Sequence, residues 1–325
     1  IRSLNTLNSK ISYPGAKIKY LIFKEKLSQL SEAGSFFWRY IPAIRKWTTE
    51  LNSLTVYDHY ENLIFEHPIR YIVKKLPIKT ITIGHYHCIL SKEYMGHQHS
   101  NSEWISNIKP DYIACIGNIS KDILIKQGVP PNKLITGANL RQSKQTENFS
   151  EKKNSDQILV LLSLVGESNI EILNKIYLNN SFITDEMKLK VIVKPHPMMK
   201  IKEVLQSLKW TELPIGWKWA ENNLDKELNK SYCCIAMDTA AVFDAINKDN
   251  IVISIKSDLR IMENYLDIFS NKYPLTRSIS QNEIVSKIRD IFQIKSEQYK
   301  NEFSKIKYEL IEGTNITSVK RTFFF

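Results

Sequence analysis

The sequence predicts an α/β protein built from two doubly wound parallel sheets. The chain has 325 residues, which is more than one hydrophobic core usually holds. Short Ile- and Val-rich segments alternate with amphipathic helical patterns along most of its length. Strands buried on both faces and separated by helices are typical of parallel sheets. A hydrophobic content of 43% is sufficient for two cores.

The first half of the chain begins with helical periodicity at residues 17–51 and continues with strand-like segments. The predicted strands are Leu54–Tyr57, Thr80–Tyr86, Asp111–Gly117 and Lys133–Gly137, with a helical pattern at Leu63–Leu76. Residues 138–157 are polar and lack periodicity, which indicates a linker. We therefore predict one domain at residues 1–150 and a second at residues 151–325.

The same alternation restarts in the second half. The predicted strands are Ile158–Ser163, Leu189–Val193, Tyr232–Met237 and Ile251–Ile255, and the predicted helices are Asn169–Asn179, Ile201–Leu208 and Thr239–Asn247. Residues 281–312 are predicted to be helical and polar on one side. This order of elements predicts a doubly wound sheet followed by a helical tail.

Composition and charge restrict the class of protein. The formal charge of +11 and the pI near 9.2 suit an anionic partner, but the lysines are scattered among acidic residues and do not form a basic block with aromatics. We therefore expect no nucleic-acid partner. The longest apolar runs are too short to cross a bilayer, and Ile1–Lys19 lacks the apolar core of a secretory signal. We expect a cytoplasmic protein.

Two further features bear on the environment of the protein. The four cysteines have no CxxC spacing, which favours reduced, buried thiols over a zinc site or a disulfide. An N-terminal helical segment carries basic and aromatic residues, namely Trp38, Arg39, Tyr40, Arg45 and Trp47. This segment either packs in the core or lies on the inner face of a membrane.

Two loops of the second domain carry the polar residues expected at a ligand site. Ligands of doubly wound sheets bind at the carboxyl ends of the strands. The loop Lys194–Pro197 follows a predicted strand and contains His196 between two prolines, which exclude a helix there. The turn Met237–Ala241 follows another and contains Asp238 and Thr239 at a predicted helix start, where backbone N–H groups attract anions.

The strand followed by KPHP, and the later strand followed by an Ala-rich, Thr-bearing helix start, resemble the donor half of GT-B glycosyltransferases. The likeness is closest to bacterial enzymes with cytidine-activated donors, such as sialyltransferases and Kdo transferases. The resemblance implies that His196 and Thr239 bind the donor phosphate, that Lys194 adds positive charge, and that Pro197 and Ala240 contact the donor. The alternatives are a core histidine bonded to backbone at His196 and a simple helix cap at Thr239.

The sequence departs from that family at Asp238, where many members have a hydroxyl residue. A carboxylate is unfavourable next to phosphate, so Asp238 either caps the helix or faces the sugar. The segment Asp111–Gly137 resembles the last strand, helix and strand of the acceptor half, which places Gly117 at the cleft. Gly84–Tyr86 and Gly96–Ser100 resemble a GYQH stretch of bacterial surface-carbohydrate proteins.

Four histidines are close together in this part of the sequence: His85, His87, His97 and His99. Their spacing on a strand and a loop does not match a zinc pattern, so we expect no metal. We predict instead that His85, His97 and His99 bind substrate.

Glycosyl transfer requires a carboxylate that acts as a base or as a nucleophile. Glu61 follows the first predicted strand and is the first choice, with Glu66 as the second and Asp238 as a candidate from the donor side. The alternative for Glu61 is an exposed acid at a helix N-terminus.

These features predict a metal-independent glycosyltransferase without a cofactor. It would move Kdo or a sialic-acid-like sugar from a CMP-activated donor to a bacterial surface glycan or lipid-linked glycan. The alternatives are a nucleotide-sugar epimerase or hydrolase of the same fold, and a non-catalytic module that binds a glycan or nucleotide.

Overall fold

The computed structural model describes residues 41–63, 66–86, 91, 101–137, 156–262 and 264–311. The described residues form two compact units. The first consists of the described residues up to Gly84 together with residues 101–113. His85, Tyr86 and the described residues from Ala114 onward form a second unit. The domain boundary near residue 150 stays a prediction.

The first sheet has the strand order β1-β2-β3-β4. Its strands are β1 (Ser53–His59), β2 (Lys79–His85), β3 (Tyr112–Ile116) and β4 (Leu134–Gly137), and the helices between them are α1 (Glu66–Val73), α2 (Asn101–Ile105) and α3 (Gly117–Lys126). A connection that contains a helix is what neighbouring parallel strands require. The sequence predicted all four strands, and each observed end lies within two residues of the predicted one.

The second sheet has the order β7-β6-β5-β8-β9, and all of its pairings are parallel. Its strands are β5 (Gln157–Leu161), β6 (Lys190–Lys194), β7 (Trp217–Trp219), β8 (Cys233–Ala236) and β9 (Ile251–Ser254). The helices are α4 (Gly166–Tyr177), α5 (Ile201–Ser207), α6 (Leu224–Lys230), α7 (Ala241–Asn247), α8 (Ile284–Arg289) and α9 (Ser296–Ile311). The predicted fold class, two parallel-sheet α/β domains of the Rossmann type, is confirmed.

Strand β5 is the centre of the second sheet. Its residues Ile158, Leu159 and Val160 are completely buried, as both faces of the strand carry helices or core side chains. The chain runs from β5 outward through β6 and β7, then returns to the other side of β5 for β8 and β9. The carboxyl ends of β5 and β8 therefore form the topological switch point, where α/β sheets bind ligands.

Some elements differ from their predictions for local reasons. The helix predicted at Leu63–Leu76 is shorter, and Pro68 lies in the first turn of α1, where no N–H bond is lost. The predicted C-terminal helix is divided into α8 and α9 by a π-helical turn, in which Lys295 N–H donates to the Asp290 carbonyl at 2.6 Å. Strand β7 was not predicted, since three residues give no measurable periodicity.

Three cysteines are buried and free in the described residues: Cys115, Cys233 and Cys234. This agrees with the expected reduced thiols, and burial raises the pKa of Cys115 to about 12. Cys88 lies outside the described residues. In the same ranges, the structure has no helix that combines the length and the apolar character needed to cross a membrane.

The first unit contains a cluster of charged side chains around Arg70. The Arg70 side chain is completely buried and donates to Asp58 Oδ2 at 2.5 Å and to Glu66 Oε2 at 3.2 Å. Its guanidinium also lies 4.5 Å from the ring centroid of Tyr60. Glu66 Oε1 accepts the backbone N–H of Glu61 at 2.9 Å. The cluster thus connects helix α1 to the loop that follows β1.

Gly84 permits the close approach of that same loop to β2. A Cβ atom at residue 84 would lie 2.8 Å from both Cβ and Cγ of Tyr60 and 3.1 Å from Pro110. Real Cβ atoms do not approach other atoms so closely. Tyr60 itself is completely buried. The position of the loop is therefore fixed by a packed contact directly before Glu61.

Replacement of Arg70 by methionine should destabilise the first unit by about 3 kcal/mol, because the buried Glu66 and the half-buried Asp58 lose their common counter-charge. The free energy of unfolding in urea measures the effect. The matched control is Lys46→Met, since Lys46 is an exposed cation whose loss should change stability by less than about 0.5 kcal/mol. Equal stability of the two variants would contradict a structural role for the cluster.

The stability of the first unit should also depend on pH through Asp58. Burial raises the pKa of Asp58 from 3.8 to about 6, despite the nearby Arg70. Between these values the folded state holds a proton that the unfolded state has lost, so stability falls as pH rises from about 4 to about 6.

The comparison with Asp58→Asn isolates this term. The wild type should lose about 3 kcal/mol relative to the variant between pH 4 and pH 7. His67, whose pKa burial lowers to about 4, titrates in both proteins and cancels in the difference. A difference in unfolding free energy that does not change with pH would show that Asp58 keeps an ordinary pKa.

Candidate functional site

The loop after β6 presents His196 with a defined hydrogen-bonding state. Met198 N–H donates to His196 Nδ1 at 3.2 Å, so in the neutral ring the proton lies on Nε2. His196 is partly exposed and not a core residue. Its Nε2–H is therefore suited to donate to an anion. Lys194 Nζ donates to the Asn222 carbonyl at 2.9 Å, which connects this loop to the one after β7.

The turn after β8 contains Asp238 and Thr239. Asp238 has a φ of 53°, in the left-handed region, so the chain reverses sharply before α7 begins at Ala241. The predicted helix start at Thr239 is thus two residues too early. The Thr239 hydroxyl accepts Ala241 N–H at 3.3 Å, which leaves its own proton free to be donated. Thr239 is 8% exposed, and Ala240 beside it adds little bulk.

The loop between β5 and α4 lies between these two loops, since β5 lies between β6 and β8. The Asn169 side chain accepts Ser163 N–H at 2.8 Å and donates to the Ser163 carbonyl at 2.9 Å. These bonds hold the loop in one conformation. With strands spaced roughly 4.8 Å apart, the ends of β6 and β8 are about 10 Å apart, with the loop after β5 between them.

Two residues that the sequence analysis missed complete this edge of the sheet. Ser168 donates to Asp238 Oδ2 at 3.0 Å, and Arg260 Nη2 donates to the same oxygen at 2.7 Å. Arg260 Nη2 also contacts the Ser168 hydroxyl. The charge of Asp238 is therefore balanced within the protein. Both residues follow strands of the same sheet, β5 and β9, and polar residues after each parallel strand are the signal that could have found them.

The candidate acids of the first unit differ in their environment. The Glu61 side chain is 38% exposed, and its carboxylate lies 3.7 Å from His59 Nε2. Glu66 is 4% exposed, and both of its oxygens have protein partners, Arg70 and the Glu61 N–H. Glu61 is therefore accessible to a substrate, whereas Glu66 orders the loop that carries Glu61.

Other candidates lie at the ends of β2 and β3. His85 is the last residue of β2 and is 8% exposed. Gly117 is the first residue of α3 and has a φ of 65°, in the left-handed region that glycine adopts most readily. His97 and His99 lie outside the described residues. No group of three or more potential metal ligands occurs among residues that the structure describes.

A cavity of 520 Å³ lies elsewhere in the second unit, between α3, the segment around Phe269 and helix α9. Its lining includes Asp122, Lys126, Lys272 and Glu309, and none of the candidate residues. The chemistry at the switch point is therefore a better indication of the functional site than cavity size.

Comparison with known proteins places the fold. Neither a protein-family model nor a curated protein sequence matches the chain. Among solved structures, the glycotransferase of kitacinnamycin is 8% identical with a TM-score of 0.54, over 90% of this chain and 81% of that one. The UDP-GlcNAc 2-epimerase of Neisseria meningitidis, bound to UDP-GlcNAc, is 13% identical with a TM-score of 0.53, over 88% and 79%.

A third similar structure is the UDP-GlcNAc 2-epimerase of Methanocaldococcus jannaschii in complex with UDP-GlcNAc and UDP. It is 13% identical with a TM-score of 0.50, over 86% of this chain and 82% of that one. At such identities, these likenesses establish the fold alone: this chain has two Rossmann-type α/β domains, as GT-B-like proteins do.

Proposed function

We propose that this chain is a nucleotide-sugar enzyme and that it transfers a glycosyl group. The observation that carries the proposal is the set of donors at the carboxyl edge of the second sheet. His196 Nε2–H and the Thr239 hydroxyl follow β6 and β8, on either side of β5, and each lacks a protein acceptor among the described residues. Such donors suit the phosphate of a nucleotide.

Charge balance at this edge supports a leaving nucleotide. When the bond to the sugar breaks, negative charge accumulates on the phosphate, and fixed donors lower the energy of that state. His196 and Thr239 would supply the hydrogen bonds, and Lys194 would add positive charge from the end of β6. The proposal therefore assigns the stabilisation of the leaving group to protein groups without a metal ion.

Glu61 is the proposed base for the acceptor hydroxyl. It is the exposed carboxylate at the end of β1, and Glu66 orders its backbone. Asp238 is the alternative from the donor side, although its bonds to Arg260 and Ser168 favour an orienting role. The resemblance of the His-Pro loop to enzymes with cytidine-activated donors favours CMP-linked Kdo or a sialic-acid-like sugar, with a bacterial surface glycan as acceptor.

A nucleotide-sugar epimerase is the second candidate. The observation that favours it is the presence of two UDP-GlcNAc 2-epimerases among the similar structures. An epimerase would use the same phosphate donors but would need no acceptor. Incubation with UDP-GlcNAc alone separates the two functions, because only an epimerase converts the sugar without an acceptor.

A nucleotide should raise the melting temperature of the wild type, since a ligand that binds the folded state stabilises it. We expect a shift of roughly 5–10 °C at a hundredfold excess over Kd, for one of CMP, CDP, UDP, GDP and ADP, with or without magnesium. His196→Ala should weaken binding about tenfold by calorimetry, because one donor to phosphate is lost.

Met198→Ala is the matched control, since its side chain is 75% exposed in the same loop. It should bind nucleotide as the wild type does. Selective stabilisation by CMP supports a CMP-activated donor, and selective stabilisation by UDP supports a UDP-sugar and removes the Kdo or sialic-acid donor. The absence of any shift would overturn the proposed function and leave a glycan-binding module.

Replacement of Glu61 by glutamine should lower kcat by at least about 100-fold while nucleotide affinity stays within about threefold, because the base acts on the acceptor and not on the donor. Initial rates with sugar donors of the nucleotide that the screen selects measure kcat. Glu50→Gln, at an exposed acid of the same unit, is the control and should leave kcat unchanged. An active Glu61→Gln variant would exclude Glu61 as the base.

A further inference from the structure

We propose that Arg260 binds the anionic oxygens of the donor, and that one face of helix α4 holds it in position for this purpose. The inference rests on the proposed nucleotide-sugar function and adds a specific cation to the site. The segment that carries Arg260 follows β9, which pairs with β8 at the switch point.

The guanidinium of Arg260 is only partly used by the protein. Its Nη2 contacts Asp238 and Ser168, whereas Nε and Nη1 have no partner in the part of the chain that the structure describes. The Arg260 side chain is 34% exposed, and that of Asp238 is 10% exposed. Arg260 is thus anchored at one nitrogen, and its partly exposed side chain lies at the edge where ligands of this fold bind.

One stripe of helix α4 fixes the segment that carries Arg260. Ser168, Glu171 and Lys175 are spaced by three and four residues, so they share a face of the helix. Lys175 is 3% exposed and donates to the Lys256 carbonyl at 2.8 Å, and it pairs with Asp258 at 2.8 Å. The segment therefore lies along the helix from Lys175 towards its first turn.

Glu171 holds the middle of the segment. Its carboxylate accepts the Ser257 hydroxyl at 2.5 Å and Asp258 N–H at 2.7 Å, and it pairs with Lys175 at 2.9 Å. Partial burial acts to raise the pKa of Glu171, but these bonds hold it below its usual value. Ser257 Oγ in turn accepts the N–H groups of Leu259 and Arg260. Residues of α4 thus order both the backbone and the side chain of Arg260.

We interpret this network as one that positions the segment, because it adds little stability. A buried ion pair contributes little net stability compared with apolar residues of the same volume. Here the buried pair of Glu171 and Lys175 satisfies backbone and side-chain groups of a single segment, and that segment ends in a charged side chain with free donors. The arrangement pre-orders a cation for an anion, which lowers the entropy cost of binding.

The ligand chemistry is anionic oxygen, from the nucleotide phosphates or from the carboxylate of an acidic sugar. Asp238 neutralises the guanidinium in the free protein through Nη2 alone, so Nε and Nη1 keep their N–H groups for a ligand. Arg260 can therefore accept an anion without releasing Asp238.

The test compares nucleotide affinities by calorimetry for the wild type, Arg260→Gln and Arg260→Lys. Arg260→Gln should weaken binding about 10- to 100-fold, as expected for a charged hydrogen-bonding group, and Arg260→Lys should recover part of the loss. Arg277→Gln is the control, because Arg277 forms an exposed pair with Glu283 in the same unit. UMP, UDP, CMP and CMP-N-acetylneuraminate distinguish the source of the anion.

A loss for UDP that exceeds the loss for UMP indicates the second phosphate. A loss for CMP-N-acetylneuraminate that exceeds the loss for CMP indicates the sugar carboxylate, and an equal loss for all four probes indicates the first phosphate. If the wild type binds a nucleotide and Arg260→Gln binds it equally well, the inference is overturned while the proposed function stands. If the wild type binds neither these probes nor CDP, GDP or ADP, the proposed function itself fails.

The positioning role of α4 has a separate readout. Glu171→Gln should weaken nucleotide binding in the wild-type background but have no further effect on affinity in the Arg260→Gln background. A purely structural role would lower the melting temperature and leave the affinity of the folded protein unchanged in both backgrounds. That result would remove Glu171 from the proposal.

Discussion

The pairing of β5 with β6 on one side and β8 on the other is the constraint on which the rest of the second unit depends. The carboxyl ends of parallel strands lie on the same edge, so this pairing brings together the loops of His196 and Thr239 and the first turn of α4, which contains Ser168. Residues Ile158–Leu161 of the strand are buried, and a shift of its register would displace the loop after β5 relative to the loops after β6 and β8. Backbone pairing thus sets the relative positions of these loops.

The charges near this edge of the sheet are balanced within the protein. The carboxylate of Asp238 would oppose an anion by itself, but its bonds to Arg260 and Ser168 balance its charge locally. Arg260 is in turn ordered by Glu171, which is paired with Lys175. The charges therefore form two groups, Asp238 with Arg260 and Lys175 with Glu171 and Asp258, and Ser257 connects them by hydrogen bonds. Such networks maintain geometry more effectively than they add stability.

The sequence was sufficient for the fold and for part of the candidate site. The central strands are short apolar runs that alternate with helical patterns and have polar loops after them, so this alternation was enough to predict the parallel sheets and to select the loops of His196 and Thr239. The sequence analysis missed Arg260 and Ser168, because their role depends on which strand ends are neighbours. Local sequence patterns do not show the order of the strands. The burial of Glu66 escaped for a similar reason, since Arg70 and Asp58 approach it only after folding.

The missing side chain at Gly84 has a consequence for how this protein can change through evolution. A Cβ atom at residue 84 would clash with Cβ and Cγ of Tyr60, which are the side-chain atoms nearest the backbone. Another large residue at position 60 would therefore meet the same clash. Residues 60 and 84 therefore cannot be substituted independently of each other. Diversification of this loop is therefore confined to residues after Tyr60, beginning with Glu61, and the protein can alter the chemistry it presents there without altering where the loop begins.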